Sequence, residues 1–108
     1  MSEQQQKVAL VTGASRGIGR AIAERLAADG FCVIGTATSD GGADRISDYL
    51  QTAGNSGRGM TLDVADDNSV SGVLKRITTE YGAPLVLVNN AGITRDNILM
   101  RMKAEEWS

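Results

Sequence analysis

Short apolar runs alternate along the chain with longer stretches in which apolar residues recur at helical spacing. The runs predict strands near residues 7–12, 31–36, 59–62 and 85–88. The spaced apolar positions predict helices near residues 17–29 and 42–52, and a third that runs from an N-cap at Asp66 towards Tyr81. Such alternation is typical of a parallel sheet with right-handed crossovers, so we expect a single α/β domain.

A glycine-rich segment follows the first predicted strand. Residues 12–19 read Thr-Gly-Ala-Ser-Arg-Gly-Ile-Gly. Gly13 stands where the chain turns out of the strand, while Gly17 and Gly19 let the backbone come close to a ligand. Because the first amides of a helix are unpaired and lie at its positive dipole end, the segment predicts a pyrophosphate site. No lysine follows Gly19, which argues against a triphosphate-hydrolysing loop; a purely structural turn is the alternative.

A second segment, Asn89-Asn90-Ala91-Gly92, follows the last predicted strand. An asparagine pair at the end of a buried strand can hold neighbouring main-chain groups in place. Ala91 and Gly92 leave room for a flat ring or a ribose to pass over the backbone. Taken alone, the segment is also compatible with an ordinary turn.

The two segments together resemble the short-chain dehydrogenase/reductase family, whose cofactor signature Thr-Gly-x-x-x-Gly-x-Gly is complete here. The resemblance implies a Rossmann-type, doubly wound parallel sheet, with strand order 3-2-1-4 in this part of the fold, and a nicotinamide dinucleotide as cofactor. It also implies the residues that bind this cofactor: Gly13, Ala14, Ser15, Arg16, Gly17, Ile18, Gly19, Thr38, Asp63, Val64, Asn90, Ala91 and Gly92.

The residues after the second predicted strand indicate which dinucleotide binds. No carboxylate stands near Ala37, where an acidic residue would bind the ribose 2′-hydroxyl of NAD. The Arg16 guanidinium can form a bidentate hydrogen bond with a 2′-phosphate, and Thr38 and Ser39 offer hydroxyl donors. We therefore expect NADPH as the cofactor. Asp40 lies just past the position near Ala37 that selects the dinucleotide, and its carboxylate is the group that could favour NADH instead of NADPH. Arg16 as a solvated surface charge is the alternative.

The resemblance also places Asp63 and Val64 against the adenine. The carboxylate of Asp63 would accept a hydrogen bond from the adenine amino group. A loop or capping role for Asp63 is an equally reasonable interpretation.

Residues 33–39, 46–50 and 89–102 resemble most closely the branch of the family that reduces 3-oxoacyl groups carried on acyl carrier protein, with NADPH, in fatty acid synthesis. That resemblance implies a homotetramer, with a subunit contact near Leu99, Met100 and Met102; packing of this segment on its own domain is the alternative. A short-chain reductase acting on another carbonyl compound, and a non-catalytic nucleotide-binding module, are the other functions left open.

The family's proton-transfer groups are a serine, a tyrosine and a lysine four positions after that tyrosine. Tyr49 and Tyr81 are followed at that distance by Ala53 and Leu85, so neither reproduces the arrangement. We expect no catalytic residue in this chain. Residues 1–108 are expected to be the N-terminal dinucleotide-binding part of a single domain, cut before the catalytic region. The bare, apolar edge of strand 85–88 would then make the isolated piece associate or unfold.

The composition of the chain limits which kinds of partner and site are expected. The 108 residues carry a net charge of −2 with the charges mixed, which indicates neither nucleic acid nor a membrane as partner. The apolar runs are strand-sized and the first residues do not resemble a secretory signal, so a cytoplasmic protein is expected. With no histidine and one cysteine, no metal site is expected, and Cys32 is predicted to be a core thiol.

Overall fold

The computed structural model describes residues 7–63 and 65–90. In this part of the chain, the elements are β1 (Val8–Thr12), α1 (Gly17–Ala28), β2 (Cys32–Ala37), α2 (Asp40–Thr52), β3 (Arg58–Thr61), α3 (Asp67–Glu80) and β4 (Pro84–Asn89). Each predicted strand and helix is present, with bounds that move by one or two residues. The largest shift is at α2, which begins earlier than predicted because the Ser39 hydroxyl accepts a hydrogen bond from the Gly42 N–H and caps the helix.

The four strands form one parallel sheet in the order β3-β2-β1-β4, which confirms the predicted order and the Rossmann-type fold. Thr12 at the end of β1 is paired with Asn89 at the end of β4. On the other side of the sheet, Ala37 at the end of β2 is paired with Thr61 at the end of β3. The carboxyl ends of the strands therefore lie along one edge of the sheet.

The sheet separates two hydrophobic clusters. Leu10 of β1 packs in the cluster that contains Ile77 of α3, and the next residue, Val11, packs in the cluster that contains Ile46 of α2. This alternation follows from the period of two along a strand. Helices α1 and α2 thus cover one face of the sheet and α3 covers the other. Cys32 is buried in the first cluster, as predicted.

The outer faces of the helices are polar. Exposed salt bridges between residues four apart connect Arg20 to Glu24 on α1 and Arg76 to Glu80 on α3. Within residues 7–63 and 65–90, no helix is long and apolar enough to cross a membrane. The same residues hold no cluster of three or more histidine, cysteine or acidic side chains that could bind a metal ion.

Candidate functional site

The loops that leave the carboxyl edge of the sheet carry the predicted site residues. Residues 13–16 follow β1, Thr38 follows β2, Asp63 follows β3 and Asn90 follows β4. Because α1 and α2 cover one face and α3 the other, the chain changes direction between β1 and β4. In open α/β sheets, ligands bind in the crevice at such a switch point. The glycine loop and Asn90 lie on its two sides.

The loop requires glycine for its backbone conformation at some positions and for lack of space at another. Gly13 has φ 64° and Gly17 has φ 63°, both in the left-handed region that other residues rarely adopt. A Cβ on Gly19 would collide with the carbonyl oxygen of Gly13 and would lie 2.6 Å from Nδ2 of Asn90. By contrast, within residues 7–63 and 65–90, no atom outside the neighbouring backbone lies within 4 Å of the position that a Cβ on Gly17 would occupy. The loop is tightly packed at Gly19 and open above Gly17.

Helix α1 begins at this loop without a side-chain cap. Its N-cap residue, Arg16, has an extended backbone and makes no capping hydrogen bond, and its first turn contains no acidic residue. The amides of the first helical turn, residues 17–19, lie at the positive end of the helix dipole. The electrostatics of this end of α1 therefore favour an anion.

Side-chain hydrogen bonds join the segment of residues 12–19 to the end of β4. Nδ2 of Asn90 donates to the carbonyl oxygen of Gly13 at 3.1 Å. The hydroxyl of Thr12 donates to Oδ1 of Asn89, also at 3.1 Å. The first of these is the contact with a main-chain group that the sequence predicts for the asparagine pair. Asn90 and Gly13, one residue from each segment, are thus in direct contact.

Tyr49 of α2 supports the loop from the side of α1 and α2. Its hydroxyl donates to the carbonyl oxygen of Ala14 at 2.7 Å, and the Arg20 guanidinium lies 4.6 Å from the centre of its ring. Burial raises the pKa of Tyr49 to about 12; the Glu24 carboxylate adds to the rise and the Arg20 cation opposes it. The hydroxyl therefore stays protonated, as a donor, at neutral pH.

Sequence reasoning did not find this contact of Tyr49. The available signal was a tyrosine on the apolar face of α2, between Ile46 and Leu50 in the buried set of that helix. A buried phenol usually has a hydrogen-bond partner. Which partner it has depends on how α2 packs against the loop, and periodicity does not contain that information.

The residues expected to select the dinucleotide lie at the ends of β1 and β2. Arg16 is exposed, and no carboxylate in residues 7–63 and 65–90 forms an ion pair with it. Thr38 is also exposed, while Ser39 caps α2. Asp40 accepts a hydrogen bond from the Thr61 hydroxyl at 2.7 Å. Oδ1 of Asp40, the residue whose charge would repel a 2′-phosphate, is therefore hydrogen-bonded to the last residue of β3.

Asp63 takes part in a local turn. Its Oδ1 accepts a hydrogen bond from the Ala65 N–H at 3.0 Å, and its own N–H donates to the Ser69 hydroxyl at 3.1 Å. The loop role considered for Asp63 is thus present, and its adenine contact stays a prediction. The predicted site residues Val64, Ala91 and Gly92, and the predicted contact segment with Leu99, Met100 and Met102, lie outside the described residues.

A doubly wound parallel sheet with a glycine loop at its switch point places this chain among the Rossmann-type proteins. The comparison with known families is more specific, since residues 7–108 match the short chain dehydrogenase family, and the chain belongs to that family. Its members are oxidoreductases that use a nicotinamide cofactor.

Several relatives are very similar to this chain. The 3-oxoacyl-(acyl-carrier-protein) reductase FabG of Escherichia coli (strain K12) is 65% identical over 102 residues, and that of Vibrio cholerae is 67% identical over 102 residues. The protein of the same name from Pseudomonas aeruginosa is 58% identical over 103 residues. These alignments cover 94% or 95% of this chain but 41% or 42% of each relative. The chain therefore spans about two fifths of the length of the curated relatives it matches.

Proposed function

We propose that this chain is the dinucleotide-binding part of an NADPH-dependent reductase that converts 3-oxoacyl-(acyl-carrier-protein) to 3-hydroxyacyl-(acyl-carrier-protein) in fatty acid synthesis. The proposal that this chain binds a dinucleotide rests on the open glycine loop at the start of α1, where the N-cap side chain makes no hydrogen bond. The proposed substrate is supported by sequence identities of 58% to 67% with 3-oxoacyl-(acyl-carrier-protein) reductases. When bound, NADPH supplies the hydride.

The pyrophosphate of the dinucleotide would lie over residues 13–19. The residues present fit such a group, because Gly17 leaves its outer side open and the helix amides offer donors beside it. Ala14, Ser15 and Ile18 complete the loop, and Ile18 is 72% exposed. The loop binds through main-chain groups, so its side chains are small or turned outward.

The 2′-phosphate would be bound by Arg16 and Thr38. Arg16 is exposed at the start of α1, and its guanidinium offers a planar set of donors that suits a phosphate. Thr38 follows the end of β2, where this family of folds selects between the two dinucleotides. In this proposal, the Asp40 carboxylate is held by a hydrogen bond from the Thr61 hydroxyl and is not a ligand of the phosphate.

The two ends of the dinucleotide are assigned to the neighbouring loops. Asp63 and Val64 would flank the adenine beyond β3. Asn90, Ala91 and Gly92 would flank the ribose and nicotinamide beyond β4. The hydrogen bond from Asn90 to Gly13 supports this assignment, because it fixes the backbone on both sides of the crevice. The whole enzyme would act as a homotetramer with acyl carrier protein as its partner.

The test is an assay of the full natural chain. We expect NADPH to be consumed with acetoacetyl-(acyl-carrier-protein), and much more slowly with a simple ketone of similar size. The reverse preference would replace this substrate by that of another short-chain reductase. Saturable NADPH binding without turnover of any carbonyl compound would favour a non-catalytic module. Absence of dinucleotide binding would contradict the proposal as a whole.

A further inference from the structure

We propose that Tyr49 is a positioning residue for dinucleotide binding: it holds both ends of the glycine loop and does not touch the ligand. The inference rests on the proposed function, because it concerns the same site. Two contacts carry it, the hydrogen bond to Ala14 at the start of the loop and the stacking with Arg20 in α1.

The peptide that joins Ala14 to Ser15 is held in one orientation. The Ala14 side chain is fully buried, its N–H donates to the Thr36 carbonyl oxygen at 2.9 Å, and its carbonyl oxygen accepts from Tyr49. In a trans peptide, the carbonyl and the following N–H point in opposite directions. Because the Ala14 carbonyl points to Tyr49, the N–H of Ser15 points away from α2. Tyr49 thereby sets the direction of an amide in the loop proposed to bind the pyrophosphate.

The ring of Tyr49 acts on the other end of the loop. Arg20 lies one turn into α1, and its guanidinium covers the ring at a distance typical of a cation–π contact. The same guanidinium pairs with Glu24 at 3.1 Å, an exposed ion pair one turn further along α1. Since the ring also belongs to the hydrophobic cluster of α1 and α2, it connects the start of α1 to the body of the domain.

Tyr81 offers a matched comparison within the same chain. It follows α3 and packs against the cluster on the opposite face of the sheet, away from the glycine loop. Removal of its hydroxyl changes the chemistry by the same single group. A general effect of losing a phenol would appear in both variants, and an effect on the loop would appear in one.

The experiment compares Tyr49→Phe with Tyr81→Phe in the full natural chain, at a temperature where both are folded by circular dichroism. We expect Tyr49→Phe to raise the Kd for NADPH by about fivefold or more, because the buried Ala14 carbonyl loses its partner and the loop loosens. The kcat at saturating NADPH should be unchanged. Tyr81→Phe should leave the Kd within about twofold of wild type.

A Tyr49→Phe protein that is folded and binds NADPH as wild type does would overturn the inference. If wild type itself shows no saturable binding, the proposed function fails instead, so the two failures are distinguishable. If Tyr49→Phe does not fold, Arg20→Met decides, with Glu24→Gln as its control. Loss of the stacked cation should raise the Kd by about twofold to fivefold, while loss of the ion pair alone should not. Equal Kd values for these two variants would count against the inference.

Discussion

The first turns of α1 and α3 satisfy their amides in opposite ways. At α3, the Asp66 carboxylate accepts hydrogen bonds from the N–H groups of Asn68 at 2.9 Å and Ser69 at 3.4 Å, and Asp67 adds a negative charge. At α1, the N-cap residue is Arg16, and its side chain makes no capping hydrogen bond. A cap is worth about 1 kcal/mol, so α1 lacks a stabilisation that α3 has. We interpret this difference as the mark of a helix whose first turn is kept for an anionic ligand.

The start of α1 is instead held by contacts with other parts of the fold. Gly19 packs against the Gly13 carbonyl, and Tyr49 contacts Ala14 and Arg20. Helix α3 carries its stabilisation within its own first turn. The two helices should therefore respond differently to substitution, to pH and to a dinucleotide.

The largest expected effect is at Gly19. Gly19→Ala places a methyl group against the Gly13 carbonyl and Asn90, so the loop must shift. We expect the affinity for NADPH to fall by about 100-fold or more. The control is Gly72→Ala on α3, where a Cβ meets nothing within 4 Å and should stabilise the helix by about 0.5–1 kcal/mol. Unchanged NADPH affinity in Gly19→Ala, measured by fluorescence titration, would contradict the assigned loop.

Arg16→Ala tests the cation that occupies the N-cap position of α1. We expect it to weaken NADPH binding by roughly 1.5–3 kcal/mol, because the charged hydrogen bonds to the 2′-phosphate are lost. NADH lacks that phosphate and should be much less affected. The measurement is a pair of titrations, one with each dinucleotide. An equal loss for both would assign Arg16 to the pyrophosphate or to the fold instead.

Alkaline pH should weaken the support that Tyr49 gives to the start of α1. Tyr49 has its pKa raised from 10.0 to about 12 by burial, with a smaller contribution from Glu24. The unfolded chain loses this proton first, so the free energy of unfolding falls as pH rises from 10.0 to about 12, and is unaffected by this group below 10.0. We expect Tyr49 to account for about 1–2 kcal/mol of that fall. Urea unfolding of wild type and Tyr49→Phe across this range measures it, and identical pH slopes would refute it.

The smallest expected effect is at the cap of α3. Asp66→Ala removes the acceptor of the Asn68 and Ser69 amides and should lower the free energy of unfolding by about 1 kcal/mol. Binding of NADPH by the folded protein should be nearly unchanged, because the hydrogen bonds of Asp63 to Ala65 and Ser69 do not involve the Asp66 side chain. Urea unfolding and a titration at low temperature give the two numbers. A Kd that rises with the loss of this cap would remove the distinction between the two helices.

The elements and the glycine loop were predictable because their signals are local. The period of apolar residues indicates strands and helices, and Gly30, with φ 97°, stands where α1 was expected to stop. The strand order needed the family resemblance, because four parallel strands with similar apolar runs can be ordered in several ways. That order is confirmed.

Apart from the bond between the asparagine pair and a main-chain group, contacts between residues distant in sequence were not predictable. Asn55 lies between α2 and β3, and its side chain donates to the Phe31 carbonyl oxygen at 2.7 Å and accepts from the Val33 N–H at 3.0 Å; no pattern along the chain indicates these partners. Asp40 lies just past the position that selects the dinucleotide, and the hydroxyl that donates to it belongs to Thr61, at the end of the neighbouring strand. Such pairs depend on how helices and strands pack, which spacing along one segment does not encode.

Amide hydrogen exchange tests the central claim most directly, by following residues 17–19 of α1 and 68–69 of α3 in the same sample with and without NADPH. The account predicts that NADPH slows exchange in the first turn of α1 and leaves the amides already capped by Asp66 unchanged. Exchange at residues 17–19 that is unaffected by saturating NADPH would contradict it.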